Sequence, residues 1–162
     1  MSRLIRLEFD NKGYIASSGN LNKDLYYCLE QLDYYKLNPP KSLGIEWVND
    51  EIYPILERFL SIPTQDLMNT FSNHFASQIS KNIENQEKIM ITGGGAYNDY
   101  LIENIKSLTK SNIYIPDPKI IEYKEAMIFS FLGVLKILGI NNCYSSVTGA
   151  KIDHCSGKIY NP

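Results

Sequence analysis

The chain has 162 residues, 44% hydrophobic and 21% charged, with sixteen Lys+Arg against eighteen Asp+Glu and a formal net charge of −2. These values fit a single domain over residues 1–162, long enough to bury a core without cross-links, and they argue against a disordered chain or a membrane protein. Both signs of charge are spread along the sequence, so the basic patch of a general nucleic-acid binder is missing.

Leu4–Phe9 reads as a short strand, Asp10–Gly13 as a turn, and Tyr14–Ala16 as the returning strand of a hairpin, because Asn and Gly tolerate the positive φ such turns need. Asn22 is placed to cap a helix in which Leu25, Cys28, Leu29 and Leu32 recur at i, i+3, i+4 and i+7. Pro39-Pro40 with Lys41-Ser42 ends it, since proline removes a donor and pushes its predecessor into extended geometry. Ambiguous from Glu46 to Val48, the pattern resumes after Pro63 as a long helix with Thr64 as N-cap and Asp66 in its first turn. Leu67, Phe71, Phe75 and Ile79 form its predicted buried stripe.

Ile89–Thr92 is an apolar strand, Gly93-Gly94-Gly95 a tight turn, Leu101, Ile102, Ile105 and Leu108 a helical period, and Asn112–Ile115 a second strand. This is a βαβ unit, whose crossover is right-handed and whose strands are parallel. From about Ile121 apolar residues fall all round a helix, which predicts a buried element ending at Gly139. Its apolar stretch, 126–138, contains Lys136 and is too short to span a bilayer. The tail, Tyr144–Ala150 and Ser156–Tyr160, reads as two extended pieces.

Cys28, Cys143 and Cys155 are far apart and form no C-x-x-C pair, which predicts reduced thiols and no metal site. Met1–Arg6 has neither an apolar h-region nor a small-residue cleavage site, so the cytoplasm is the expected location. Three glycines between a strand and a helix stand at the carboxyl edge of a parallel sheet, where α/β proteins bind ligands. Without Cβ atoms they let a ring or sugar approach the main chain, although a purely structural turn accounts for them equally. Neither G-x-G-x-x-G nor G-x-x-x-x-G-K-[ST] is present. Glu122 and Glu125 are expected in the first turns of the apolar helix, where the macrodipole favours them; Glu125 would also suit a sugar hydroxyl. No Ser/His/Asp arrangement is visible, so no catalytic residue is assigned.

In order, Phe9-Asp10-Asn11-Lys12-Gly13, Ala16 to Gly19, Pro39 to Glu46, Pro63-Thr64 with Asp66-Leu67, Thr92 to Asn98, Lys124-Glu125-Ala126 and Val147 to Ala150 resemble the C-terminal half of anhydro-N-acetylmuramic acid kinases. The resemblance covers nearly the whole chain. It implies an incomplete ribonuclease H-like C-terminal domain of the actin-like ATPase superfamily, α/β with a mixed sheet and flanking helices. The implied reaction uses ATP and Mg to open the anhydro ring of anhydro-N-acetylmuramic acid with water and phosphorylate O6, in cell-wall recycling. By the same resemblance Gly93, Gly94, Gly95 and Asn98 lie on the nucleotide side and Glu125 on the substrate side, opening onto one crevice.

Four features depart from that pattern. The family's Gly-Thr-Ser-x-Asp-Gly-x-Asp phosphate loop, its general-base aspartate and its Asp-Thr-Gly-Pro-Gly-Asn segment are missing, and Ile45 stands where an arginine or other polar residue is usual. Phosphoryl transfer depends on positioning and charge stabilisation, so the chain is expected to be inactive by itself. An exposed sheet edge would favour self-association. A non-catalytic ligand-binding or interaction module is the alternative reading.

Overall fold

The computed structural model describes residues 9–38, 41–83 and 86–160, and the chain divides into two compact units, Met1–Pro116 and Asp117–Pro162. The predicted strand Leu4–Phe9 lies outside the described residues apart from Phe9, and so do Pro39 and Pro40.

The first unit opens with a 3-10 turn, Asn11–Gly13, and helix α1, Tyr14–Ser17. The hairpin expectation is corrected here, because Tyr14–Ala16 is helical. The Asp10 carboxylate accepts from the backbone N–H groups of Ile15 (2.9 Å) and Ala16 (3.0 Å), satisfying donors that a strand would have presented to a neighbour. The positive φ expected of the turn falls on Lys12 (56°) and Gly13 (76°).

Helix α2, Lys23–Glu30, starts as read: Asn22 Oδ1 accepts from Leu25 N at 2.9 Å, and Leu25 and Leu29 are fully buried. A 3-10 turn, Asp33–Lys36, follows. The ambiguous stretch is helical, running through α3 (Ile45–Trp47), a π segment (Val48–Ile52) and α4 (Tyr53–Arg58). Pro54 supplies the cause of the irregularity, having no N–H to offer the preceding turn and a ring that crowds the carbonyl four residues back.

Helix α5, Thr64–Ile83, is the spine of the unit and packs against α1, α2 and a later helix, α6 (Asp99–Leu108). Covered from several sides, it buries a wider arc than one stripe. Leu67 and Phe71 are buried as expected, but Phe75 and Ile79 are partly exposed, at 45% and 38%. Asn69, Thr70, His74, Ala76 and Ser80 are buried instead. One core cluster joins Leu25, Leu29, Leu32, Ile52, Leu67 and Phe71. A second joins Ala76, Ile102 and Ile105 to Ile91, Ile113 and Ile115.

The βαβ reading holds. Strands β1 (Lys88–Met90) and β2 (Asn112–Tyr114) pair in parallel with Ile89 opposite Ile113, and α6 forms the crossover between them. The described architecture is thus α/β, with a small parallel sheet and flanking helices.

The second unit holds helix α7, Pro118–Ile137, capped by Asp117 Oδ1, which accepts from Lys119 N at 2.9 Å. It stops as predicted: Gly139 takes φ 69°, Ile140 N donates to Leu135 O (2.9 Å) and Gly139 N to Lys136 O (3.2 Å). Those bonds satisfy the last carbonyls in a Schellman arrangement. The expectation of a buried helix is corrected, because Ile121 is its buried residue while Met127, Phe129, Phe131 and Ile137 are each more than half exposed. One twenty-residue helix and a short tail form too little structure to enclose every face.

The expected extended piece Tyr144–Ala150 is also corrected. Ser145–Thr148 forms a helical turn, α8, tied down by Asp153, whose Oδ1 accepts from Ser145 N and Oγ at 2.7 Å. Among the described residues, extended pairing in the tail is confined to an antiparallel bridge between Cys143 and His154. Among the described residues no helix is long and apolar enough to cross a membrane.

Candidate functional site

The glycine turn is built from opposite constraints at adjacent positions. Gly93 has φ 86° and ψ 176°, a conformation essentially reserved for glycine, and it leads the chain from β1 into the 3-10 turn Gly94–Tyr97. Ala96 N donates to Gly93 O at 2.9 Å and Asn98 N to Gly95 O at 3.1 Å, so the turn is closed by its own backbone. Among the described residues, a Cβ placed on Gly93, Gly94 or Gly95 would meet nothing within 4 Å. Packing among the described residues therefore gives no reason for bare backbone at Gly94 and Gly95.

Asn98 ends the turn and starts α6, its Oδ1 accepting from Leu101 N at 3.0 Å. It also lines a cavity of about 300 Å³ with Asp10, Ile52, Leu56, Phe71 and Phe75 among its walls. The cavity is mostly apolar, with Asp10, Tyr53, Ser72 and Asn98 as its polar lining residues. An apolar slot with a few polar groups is the usual form of a small-molecule site.

The Asp10–Gly13 segment is packed onto this turn. A Cβ on Gly13 would collide with Asn98 Oδ1 and stand 2.7 Å from Tyr100 Cβ, while Lys12 Nζ pairs with Asp99 at 3.4 Å. Behind it, the buried amide of Asn69 donates to Ala16 O and Gly19 O at 2.9 Å and to Tyr100 Oη at 2.8 Å. Asn73 reaches Asn69 O at 2.9 Å and Tyr100 Oη at 3.2 Å. Gly19 is pressed onto the start of α5, where a Cβ would collide with Gln65 O, and Asn20 N donates to Asp66 Oδ1 at 2.7 Å. Three segments distant in sequence are fixed by these contacts: Asp10–Asn20, the first turns of α5, and Gly93–Tyr100.

Reading the sequence missed Asn69, Asn73 and Tyr100. A signal existed in Asp66, Asn69, Thr70 and Asn73, spaced i, i+3, i+4 and i+7, which mark a polar stripe along α5 rather than an apolar one. Lys41 is occupied locally: its Nζ donates to Tyr34 O at 3.1 Å and stands 4.8 Å from the centre of the Tyr34 ring. Ile45 is exposed, at 64%.

Glu125 belongs to the second unit and is exposed. Its expected position is corrected, since α7 begins at Pro118 and carries no acidic residue in its first turn. Glu125 projects from the third turn, and the macrodipole no longer accounts for it.

The sequence profile of the family described as anhydro-N-acetylmuramic acid kinase matches residues 1–162. The chain belongs to the anhydro-N-acetylmuramic acid kinase family. A relative of that name from Bacillus cereus (strain Q1) is 29% identical over 174 residues, covering 99% of this chain and 45% of its own length. One from Clostridioides difficile (strain 630) is 32% identical, covering 97% of this chain and 44% of its own. A third, from Caldanaerobacter subterraneus, is 28% identical over 95% of this chain and 42% of its own. The chain thus spans less than half the length of these curated relatives. Of the kinase-like segments, Asp10–Gly13, Ala16–Gly19, Pro63–Leu67 and Thr92–Asn98 all lie in the first unit, where the contacts above join them.

Proposed function

We propose that residues 1–162 are the C-terminal nucleotide- and sugar-binding part of an ATP-dependent kinase that converts anhydro-N-acetylmuramic acid to N-acetylmuramic acid 6-phosphate in cell-wall recycling. The fold of this part is the ribonuclease H-like C-terminal domain of the actin-like ATPases, working in the cytoplasm. Membership of the family supports the reaction. The glycine turn supports the nucleotide side: Gly94 and Gly95 leave open room that internal packing does not require, next to an asparagine lining an apolar cavity.

In this reading Gly93, Gly94 and Gly95 admit the nucleoside to the backbone. The cavity beside Asn98 takes the planar base, with the Asn98 amide at its edge. Glu125, in the Lys124-Glu125-Ala126 segment and freely exposed, contacts the sugar. The sequence holds neither the family's phosphate loop nor its general-base aspartate, so Mg and the γ-phosphate are held by groups outside residues 1–162, and this chain alone does not turn over.

Isothermal titration with a non-hydrolysable ATP analogue tests the reading. The unaltered chain should bind, and Asn98→Asp, which keeps an oxygen for the Leu101 N–H, should bind at least about tenfold more weakly, a loss of about 1.4 kcal/mol. Absence of binding by the unaltered chain, or equal affinity in both, would remove the nucleotide assignment. Release of ADP from Mg-ATP and the anhydro-sugar at ordinary kinase rates, roughly 1–100 per second, would refute the claim of inactivity.

A further inference from the structure

Among the described residues, the kinase reading leaves a buried titratable side chain without a use. His74 is fully buried in α5, within a box formed by the rings of Tyr35 (centroids 5.0 Å apart), Tyr26 (5.7 Å) and Phe75 (6.2 Å). Its Nε2 lies 3.5 Å from Glu30 Oε1 and 3.4 Å from Gln78 Nε2, while Nδ1 has no partner among the described residues. With the proton on Nε2 the imidazole faces Glu30 and leaves Nδ1 a bare acceptor. A second proton would put an unpaired N–H and a charge into the aromatic box, and an unsatisfied buried charge is far costlier than a bare acceptor.

The groups facing His74 do not remove that cost. From α2 come Tyr26 and the Glu30 carboxylate, from the Asp33–Lys36 turn Tyr35, and from α5 Gln78 and the Lys81 ammonium. Glu30 is already engaged twice, accepting from Gln78 Nε2 at 2.6 Å and from Lys81 Nζ at 2.8 Å. An imidazolium would have to compete with both.

We propose that His74 is a proton-operated latch between α2 and α5: neutral, it completes a buried aromatic contact, and protonated, it opens that contact. Burial lowers the imidazole below its ordinary value of 6.5; Glu30 pulls it back up, and Lys81 pushes it down again. Because the folded value is depressed, the latch holds fully above pH 6.5. Its contribution is lost as pH falls from there towards the folded value, where the unfolded chain binds the extra proton. This inference does not depend on the kinase reading.

NMR titration of the imidazoles in the full chain tests it; the sequence has two histidines, and His154 is exposed. His74 should stay neutral to below pH 6.5. Between pH 6.5 and its midpoint, exchange of the amides of α2 and of residues 74–81, corrected for intrinsic rate, should rise by up to about tenfold per pH unit, the limit for one proton. In His74→Leu, the fall of Tm over the same interval should be shallower than in the unaltered chain. A His74 midpoint at or above 6.5, exchange in α2 that does not change with pH, or an unchanged pH slope in His74→Leu would each overturn the latch. Should His74→Leu fail to fold, the two measurements on the unaltered chain decide.

Discussion

The five glycines of the candidate site are the same residue under three different constraints, and replacing each by alanine separates them. At Gly93 a Cβ has open space, so Gly93→Ala costs only the backbone strain of φ 86°, ψ 176°, about 1–3 kcal/mol. For a chain of this length that is roughly 2–4 °C of Tm per kcal/mol. Gly94 and Gly95 have neither a positive φ nor a neighbour within 4 Å among the described residues, and there alanine should leave Tm unchanged or raise it, by up to about 1 kcal/mol of lost unfolded-state entropy. Gly13→Ala combines φ 76° with collisions at Asn98 and Tyr100, and Gly19→Ala meets the carbonyl of Gln65, so both should exceed the loss at Gly93. Thermal melts of the five variants, paired with titration of the ATP analogue, give the readout. The decisive pattern is Gly94→Ala and Gly95→Ala melting normally while binding nucleotide at least about tenfold more weakly. If either melts as low as Gly93→Ala, the open-space reading of the turn is wrong; if both bind normally, those glycines do not face the nucleotide.

Asn69→Ala should lose about 1–3 kcal/mol in urea titrations, because the carbonyls of Ala16 and Gly19 lose a buried donor, whereas Tyr100→Phe should lose about 1 kcal/mol; equal and negligible losses would discount the network. At Glu30, burial works to raise the carboxyl, but the bond and charge of Lys81, with His74 and Gln78, outweigh it and hold the group below its ordinary value of 4.5. Its stabilisation is therefore present above pH 4.5 and lost as pH falls through the folded value, so Glu30→Gln should flatten that acid limb in Tm–pH curves; an acid limb of unchanged depth would refute the assignment. Sedimentation velocity should show association rising with concentration, through exposed sheet residues such as Met90 and Tyr114 and the apolar face of α7. A compact monomer at high concentration would count against it.

Much of the secondary structure was legible from local chemistry. Asn22 before an apolar period, glycines between β1 and α6, and Gly139 after α7 act within a few residues of themselves, so their outcome needs no distant partner. The family was legible for a related reason: the segments that resemble it carry turn and cap residues, which act locally. The readings that failed depended on distant groups. Tyr14–Ala16 looked extended until the Asp10 carboxylate was seen to claim the donors of Ile15 and Ala16. Phe75 and Ile79 looked like core until α5 proved to be covered by α1, α2 and α6 at once, which turned its buried arc towards Asn69, Thr70 and His74.

By itself the sequence determined the βαβ order, the start of α2, the stop of α7 and the glycine turn, since each follows from backbone freedom and hydrogen-bond supply along a short stretch. Only the tertiary structure decided that Asp10–Gly13, Asn69 and Asn98–Tyr100 hold one another, and that His74 is fully buried with Nδ1 unpaired among the described residues. Burial and side-chain partnership are properties of chain segments that meet in space, and local pattern carries no record of which segments those are.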